Sequence, residues 1–317
     1  MKVLVPDNVE LKMPAGSGVS YVSYDPARPV PGEHGDAEVL VAWGNAPGTL
    51  ADAAERLPRL KLVQSLAAGA DDVVKAGFPE GVRLASGRGL HDDTVAEHAL
   101  ALSLTAVRRI HLMRDAQRER RWPGELGGIQ PDRPPGVITT LDDANVTVWG
   151  FGGIARRLAP LLQQLGARVT GVARSAREEA GIAVHTADNL AGLLPQTDLL
   201  VLILPSTQKT RHMVNAGALG LLPAHAWVIN VGRGDTVDEA DLVQALEQRR
   251  IAGAALDVFE NEPLPAESPL WGLANVVISP HAAGGRPRGA ERLINKNLEH
   301  LTSNAPLINE IDPERGF

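Results

Sequence analysis

The sequence of 317 residues contains no cysteine, and its only aromatic residues are 5 Trp, 2 Tyr and 4 Phe. The absence of cysteine excludes a disulfide scaffold, thiolate zinc sites, iron–sulfur clusters and a cysteine nucleophile. A chain of this length can bury a large core without such cross-links. At roughly 150 residues per domain, the length predicts two domains.

Long apolar runs are also missing. No run approaches the roughly 18 residues that a membrane-spanning helix needs, and the apolar start Met1–Pro6 is too short for the core of a signal peptide. The net charge of −7 disfavours non-specific binding to nucleic acid or to an anionic membrane. We therefore expect a soluble cytoplasmic protein that binds neither.

Short apolar runs alternate along the chain with longer stretches of helical period, a pattern typical of βα units. The predicted strands are Lys2–Val5, Glu38–Ala42, Lys61–Ser65, Val82–Ala85, Asn145–Trp149, Arg168–Val172, Leu199–Leu204, Trp227–Val231, Gly253–Asp257 and Val276–Ser279. Most are rich in Val, Leu and Ile without clean polar alternation, as strands buried on both faces are. The pattern predicts an α/β fold with parallel sheets covered by helices.

A change of organisation lies between about Ala85 and Asn145. Thr94-Val95-Ala96-Glu97 fits a capping box, and it predicts the longest helix of the chain, from about Val95 to Arg114. A stretch rich in Pro and Gly follows it, from Trp122 to Gly136, which we expect to be an extended surface connection. The long helix is therefore predicted to bridge two α/β units.

The glycine loop Gly150-Phe151-Gly152-Gly153-Ile154-Ala155 follows the predicted strand Asn145–Trp149. With the next helix and the strand Arg168–Val172 it forms a βαβ unit that fits the dinucleotide fingerprint G-x-G-x-x-A. The first Gly allows the tight turn, the second allows close approach of the pyrophosphate, and the helix N-terminus supplies amide donors. The alternative is an ordinary tight βα turn.

Polar residues stand where several later strands end. Arg233 follows Trp227–Val231 and could bind a carboxylate with two parallel hydrogen bonds, or it could be an exposed residue of a flexible turn. His281 could donate a proton to a ketone oxygen, and a carboxylate such as Glu262 could hold its tautomer, although spacing does not show that the two meet. The alternative for His281 is a surface or satisfied histidine.

The remaining histidines show no HxxxH or HExxH spacing, so we predict no metal site. They include His91, His98, His111, His185, His212, His225 and His300, and the sequence assigns them no role. No Gly-x-Ser-x-Gly elbow is present, which disfavours a serine hydrolase.

Several motifs, taken in order, resemble those of the NAD(P)-dependent D-isomer specific 2-hydroxyacid dehydrogenases, a family that includes glyoxylate/hydroxypyruvate reductases. Besides the glycine loop they are Val63-Gln64-Ser65-Leu66-Ala67-Ala68-Gly69-Ala70-Asp71, Thr94-Val95-Ala96-Glu97-His98-Ala99, Leu204-Pro205-Ser206-Thr207 with Thr210, Ile229-Asn230-Val231-Gly232-Arg233-Gly234, Leu256-Asp257-Val258-Phe259 with Glu262-Pro263, and Ser279-Pro280-His281. The match runs from about Lys61 to Gly285.

The resemblance implies a role for each matching residue. His281 is the acid/base, Glu262 pairs with it, and Arg233 binds the carboxylate of a 2-oxo acid. Backbone amides near Ala68 and Gly69 complete that carboxylate site. The residues implied in cofactor binding are Gly150, Gly152, Gly153 and Ile154 of the glycine loop, Pro205 and Thr210 along the cofactor, and Asp257 at the nicotinamide carboxamide.

The resemblance also implies the architecture. Two doubly wound parallel-sheet domains are expected. A smaller, flavodoxin-like substrate domain comprises residues 1–93 and 286–317, and a Rossmann cofactor domain, residues 94–285, is inserted in it. A homodimer is expected, in which the long helix and the loop after it embrace the partner.

The sequence departs from the family at the end of the second Rossmann strand, where the acidic residue typical of NAD sites is replaced by Ala173. Arg174 and Ser175 follow it and could bind a 2′-phosphate, so we expect NADP(H) to be preferred and NAD(H) to be possible. Alternatively Arg174 lies in solvent and the cofactor choice is unselective; Arg177 could also serve. Arg286 stands where the family often has Thr or Ser.

Other functions compete with reduction of a small 2-oxo acid such as glyoxylate or hydroxypyruvate. One is a dinucleotide-sensing regulator, because a transcriptional corepressor uses this fold. Another is a different dehydrogenase of the superfamily, acting on phosphite or formate. Glu262 disfavours formate, since formate dehydrogenases have Gln there by family resemblance, and the set Arg233, Glu262 and His281 favours catalysis.

Overall fold

The computed structural model describes residues 1–14, 18–131, 134 and 136–312. The chain divides into two compact units, the first formed by Met1–His91 with Arg286–Phe317 and the second by Asp92–Gly285. Each unit contains one sheet, and helices connect many of its strands.

The strands are β1 (Lys2–Pro6), β2 (Ser20–Tyr24), β3 (Val39–Ala42), β4 (Leu62–Ser65), β5 (Arg83–Ala85), β6 (Asn145–Trp149), β7 (Arg168–Val172), β8 (Arg177–Glu179), β9 (Ile182–His185), β10 (Leu199–Leu202), β11 (Trp227–Asn230), β12 (Gly253–Leu256) and β13 (Val276–Ile278). The α-helices are α1 (Thr49–Arg56), α2 (Asp71–Lys75), α3 (Asp92–Val107), α4 (Ile110–Arg118), α5 (Gly153–Gln164), α6 (Leu190–Leu193), α7 (Ala216–Leu221), α8 (Glu239–Glu247) and α9 (Ala290–Ser303).

The first unit has a five-stranded parallel sheet in the order β2-β1-β3-β4-β5, which is the flavodoxin-like order. Every residue of β3 and β4 is buried. The apolar side chains of the two faces enter different clusters, for example Leu40 in one and Val41 in the other. Burial on both faces explains why these strands lack polar alternation in the sequence.

The second unit has an eight-stranded sheet in the order β13-β12-β11-β10-β6-β7-β9-β8. All pairs are parallel except the one between the edge strand β8 and its neighbour β9. The chain order reverses between β6 and β10, and sheets of this kind bind ligands at such a point, outside the carboxyl ends of the strands. The predicted α/β fold with parallel sheets is confirmed.

The predicted strands occur with ends shifted by at most two residues, but β2, β8 and β9 were not predicted. Strand β2 has only one buried residue, Tyr24, and its other side chains are exposed or half-buried. The three-residue strand β8 has no buried residue. Edge strands of this kind carry little apolar signal, because only one side of each pairs with a neighbour.

The helix prediction after Ala85 was partly wrong. Helix α3 begins at Asp92, so Thr94 lies in its first turn and is not the N-cap. Asp92 and Asp93 begin the helix, and carboxylates are favourable near the positive end of the helix dipole. The expected single helix from about Val95 to Arg114 is two helices, since Arg109 has a left-handed backbone with φ of 53° between α3 and α4.

Among the helices of the described residues, none combines the length and the apolar character that crossing a membrane requires.

Candidate active site

His281 and Glu262 form a hydrogen-bonded pair in the second unit. His281 follows β13 and Glu262 follows β12, so both come after the carboxyl ends of neighbouring strands. The Nδ1 atom of His281 lies 2.7 Å from Oε2 of Glu262. The other oxygen, Oε1, accepts a hydrogen bond of 3.0 Å from the amide of Phe259. The carboxylate is therefore oriented from both sides, which fixes the direction of the imidazole.

The Glu262 carboxylate carries its negative charge at neutral pH. Partial burial acts to raise its pKa, but the hydrogen bond with His281, the Phe259 amide and the charge of Arg233 outweigh burial, so the pKa of Glu262 is lowered from its ordinary value of 4.5. An ionised carboxylate on one ring nitrogen favours a proton on the imidazole. The pair therefore consists of a group that can act as a general acid, His281, and a carboxylate that orients it, Glu262.

The backbone of His281 has φ of 51°, in the left-handed region that non-glycine residues seldom adopt. Such a conformation costs about 1–3 kcal/mol and persists only where the surroundings hold it. The His281 amide donates to the Asp257 carbonyl over 2.8 Å. The amides of Ala282 and Ala283 donate to the Asp257 carboxylate over 2.9 and 3.0 Å. Asp257 thus stabilises the backbone that presents the imidazole.

Arg233 stands at the start of the turn after β11. Its carbonyl accepts hydrogen bonds from Asn230 Nδ2 (3.2 Å) and Thr236 Oγ1 (2.6 Å). A Cβ atom on Gly234 would lie 1.9 Å from the carbonyl carbon of Phe259, so only glycine allows the two backbones to approach this closely. This contact joins the Arg233 turn to the loop that carries Glu262, and it brings the guanidinium charge into the surroundings of that carboxylate.

The glycine loop has the geometry that a dinucleotide requires. Gly150 has φ of 106°, and a Cβ there would lie 2.3 Å from the Ile203 carbonyl oxygen. At Gly152, by contrast, a Cβ atom would have no neighbouring atom within 4 Å, so a pyrophosphate can approach the backbone. Helix α5 begins at Gly153, Ile154 packs on the core, and Ala155 is fully buried. The residues present therefore fit a dinucleotide at the helix N-terminus.

The segment after β7 places Arg174 and Ser175 in exposed positions, and Ala173 is half-buried. Arg177 has a different environment. Its guanidinium donates to the Phe151 carbonyl over 2.8 Å and to the Glu179 carboxylate over 2.8 Å. Arg177 therefore braces the glycine loop.

The loop after β10 is held by its own side chains. Thr210 Oγ1 donates to the Pro205 carbonyl over 2.6 Å, and the Thr207 amide donates to Thr210 Oγ1 over 2.8 Å. Strand β10 pairs with β6, so this loop starts beside the glycine loop. Thr210 stabilises the loop through its hydroxyl, and Pro205 is exposed.

Ala68 and Gly69 belong to the first unit, in the loop between β4 and α2. Ala68 is exposed and Gly69 is half-buried. Their loop also follows the carboxyl end of a parallel strand. Among the described residues, no cluster of His, Asp or Glu has an arrangement that could hold a metal ion.

Two further residues, to which the sequence assigned no role, contact the segments around the site. His98 on α3 lies 2.9 Å from Ser279 Oγ through its Nε2 atom, and Asn230 holds the Arg233 turn. His98 belongs to the motif Thr94–Ala99, but neither spacing nor periodicity shows which residues its ring meets.

The fold, the glycine loop and the His–Glu pair are together typical of dinucleotide-dependent oxidoreductases. Residues 100–283 match the model of the family described as "D-isomer specific 2-hydroxyacid dehydrogenase, NAD binding domain". A glyoxylate reductase of Aeropyrum pernix is 33% identical over 80% of this chain and 75% of its own length. A glyoxylate/hydroxypyruvate reductase A of Salmonella heidelberg is 30% identical over 90% of this chain and 89% of its own length.

Solved structures give the same result. A D-isomer specific 2-hydroxyacid dehydrogenase of Xanthobacter autotrophicus, in complex with NADPH and MES, is 32% identical with a TM-score of 0.81, covering 100% of this chain and 99% of its own. An NADPH-dependent glyoxylate/hydroxypyruvate reductase of Sinorhizobium meliloti, in complex with NADP and sulfate, is 26% identical with a TM-score of 0.80 over 100% and 99% of the two chains.

The chain belongs to the D-isomer specific 2-hydroxyacid dehydrogenase family. It is an NAD(P)-dependent oxidoreductase that interconverts 2-oxo and 2-hydroxy acids, as its motifs predicted.

Proposed function

We propose that this enzyme reduces glyoxylate or hydroxypyruvate to the corresponding 2-hydroxy acid with NADPH, and that Arg233, Glu262 and His281 carry the reaction. The observation that supports these roles most directly is the 2.7 Å pair of His281 and Glu262, with the Arg233 charge acting on the same carboxylate. A proton donor and a carboxylate-binding guanidinium are the groups that reduction of a 2-oxo acid needs.

In this proposal Arg233, Glu262 and His281 have separate roles. The Arg233 guanidinium binds the substrate carboxylate and polarises the adjacent carbonyl, and the amides at Ala68 and Gly69 are assigned to substrate binding. Nicotinamide, when bound, supplies the hydride. His281 gives a proton to the carbonyl oxygen as it becomes an alcohol, and ionised Glu262 stabilises the imidazolium before the transfer.

The cofactor would be held along the carboxyl edge of the second sheet. Gly150, Gly152, Gly153 and Ile154 take the pyrophosphate, because the space beside Gly152 is open and the amides of the α5 N-terminus point to it. Pro205 and Thr210 lie along the cofactor, and Asp257 is assigned to the nicotinamide end. Arg174 and Ser175 are assigned to the 2′-phosphate, which gives NADPH the preference and leaves NADH usable.

The proposal extends to the organisation of the enzyme. The first unit binds the substrate and the second binds the cofactor. The amphipathic helix α4 and the exposed Trp122 and Ile129 after it support a homodimer through this segment. We assign the enzyme to the cytoplasm, because it depends on a nicotinamide cofactor. The net charge of −7 supports a small-molecule substrate as its partner and disfavours binding to nucleic acid.

A spectrophotometric panel tests the proposal. NADPH oxidation is followed with glyoxylate, hydroxypyruvate, pyruvate and a bulkier 2-oxo acid, and the same panel is repeated with NADH. We expect the highest kcat/KM with glyoxylate or hydroxypyruvate and NADPH. Binding of NADPH without turnover of any 2-oxo acid would instead favour a dinucleotide-sensing regulator.

A further inference from the structure

A second polar cluster lies behind the loop that carries His281. The Asp257 side chain is fully buried. Its Oδ1 atom accepts hydrogen bonds from the Ser279 hydroxyl (2.5 Å) and the Ala282 amide (2.9 Å), and its Oδ2 atom accepts one from the Ala283 amide (3.0 Å). The carboxylate is thus enclosed by the segment that contains His281 near its middle.

His98 approaches this cluster from helix α3. Its Nε2 atom lies 2.9 Å from Ser279 Oγ and 3.3 Å from Asp257 Oδ1. Ser279 has a single hydroxyl proton. If that proton pointed to His98, the Ser279 and Asp257 oxygens would face each other at 2.5 Å with no proton between them. The proton must therefore point to Asp257, and His98 must donate from Nε2 to the Ser279 oxygen.

His98 contributes a hydrogen-bond donor next to the buried Asp257 carboxylate. A buried carboxylate is costly unless hydrogen bonds or an opposite charge compensate for the lost water. His98 is a cation-forming side chain within 4 Å of Asp257. Loss of this donor would weaken the hold on the Ser279–Ala283 segment, including the left-handed backbone at His281.

We propose that His98 is a positioning residue, which acts through Ser279 and Asp257 to keep the His281 imidazole against Glu262 in the orientation for proton transfer. The inference rests on the proposed role of His281. His98 itself is not assigned to substrate or cofactor. Because a displacement of about 1 Å in a reacting group can cost about 100-fold in rate, a loosened loop would reduce kcat even though every catalytic side chain is present.

The test compares His98→Ala with His98→Gln. We expect His98→Ala to lower kcat by about 10- to 100-fold, with KM for the 2-oxo acid and Kd for NADPH within about 3-fold of the parent. His98→Gln should recover most of the loss, since its side-chain amide can donate from near the Nε2 position. The primary isotope effect on kcat, with NADPH deuterated at the transferred position, should rise in His98→Ala because the chemical step becomes slower.

Ser279→Ala tests the connection between His98 and Asp257. It should lower kcat by a similar factor, and the double variant with His98→Ala should lose little more than the larger single loss, because residues of one network are not additive. His225→Ala is the matched control. His225 is a partly exposed histidine whose Nε2 lies 2.6 Å from Asp198 Oδ1, but it lies at the amino ends of β10 and β11. It should keep the parent kcat.

Several outcomes would overturn the proposal. They are a parent-like kcat in His98→Ala, an equal loss in His225→Ala, no recovery in His98→Gln, or fully additive losses with Ser279→Ala. If thermal melting shows that His98→Ala does not fold, then a parent-like kcat in Ser279→Ala overturns it. Full turnover in His281→Ala would instead refute the proposed function. The two failures can be distinguished, because the His281→Ala measurement does not involve His98.

Discussion

The Nδ1 atom of His281 lies 2.7 Å from the Glu262 carboxylate although 19 positions separate the two residues in the sequence. They meet because β12 and β13 are parallel neighbours, and parallel neighbours end at the same edge of the sheet. The relationship leads to predictions for each member of the pair and for the residues around it.

His281→Ala should lower kcat by roughly 100- to 10,000-fold, because it removes the positioned proton donor. Binding of NADPH, followed by the quenching of tryptophan fluorescence, should remain within a few-fold of the parent. Turnover within a few-fold of the parent would show that His281 is not the acid.

Glu262→Gln should move the alkaline limb of the kcat/KM profile for 2-oxo acid reduction to lower pH. The reason is that the imidazolium loses its negative partner. In the parent the pKa of Glu262 is lowered below 4.5. The carboxylate therefore stays charged above that pH and loses its charge only as the pH falls through the lowered pKa. An identical alkaline limb in the two proteins would argue against a working pair.

Arg233→Lys should raise KM for the 2-oxo acid sharply, since lysine keeps the charge but loses the planar two-donor fork. The hydrogen bonds from Asn230 and Thr236 reach the backbone carbonyl of residue 233, so the turn should persist in the variant. The Kd for NADPH is the internal control and should be nearly unchanged. If the variant bound only NADPH more weakly, with KM for the 2-oxo acid unchanged, Arg233 would belong to the cofactor site.

The cofactor choice should depend on Arg174. A charge-assisted hydrogen bond of about 1.5–3 kcal/mol corresponds to a preference for NADPH over NADH of roughly 10- to 150-fold, measured as the ratio of the two kcat/KM values. Arg174→Ala should remove most of it. Arg250→Ala is the matched control, an exposed arginine that contacts Gln248 and Gln244 at α8, and it should keep the parent ratio. A parent that prefers NADH would refute the idea.

The glycine loop and most strands were predictable because their signals are local. A buried parallel strand needs an apolar run, and the turn into α5 needs glycine where φ is positive, as at Gly150. The same locality explains the failures. Strand β8 has no buried residue, and the break after α3 depends on the left-handed backbone of Arg109, which no proline or glycine marks.

The α/β class, the glycine loop and the location of Arg233, Asp257, Glu262 and His281 after strand ends follow from the sequence alone, because short-range periodicity and turn chemistry specify these features. Which side chains meet, in contrast, depends on the packing of the folded chain. His281 contacts Glu262, Arg177 braces the Phe151 carbonyl, and His98 reaches Ser279. These contacts depend on strand order and on how α3 packs in the second unit, and sequence spacing carries no information about either.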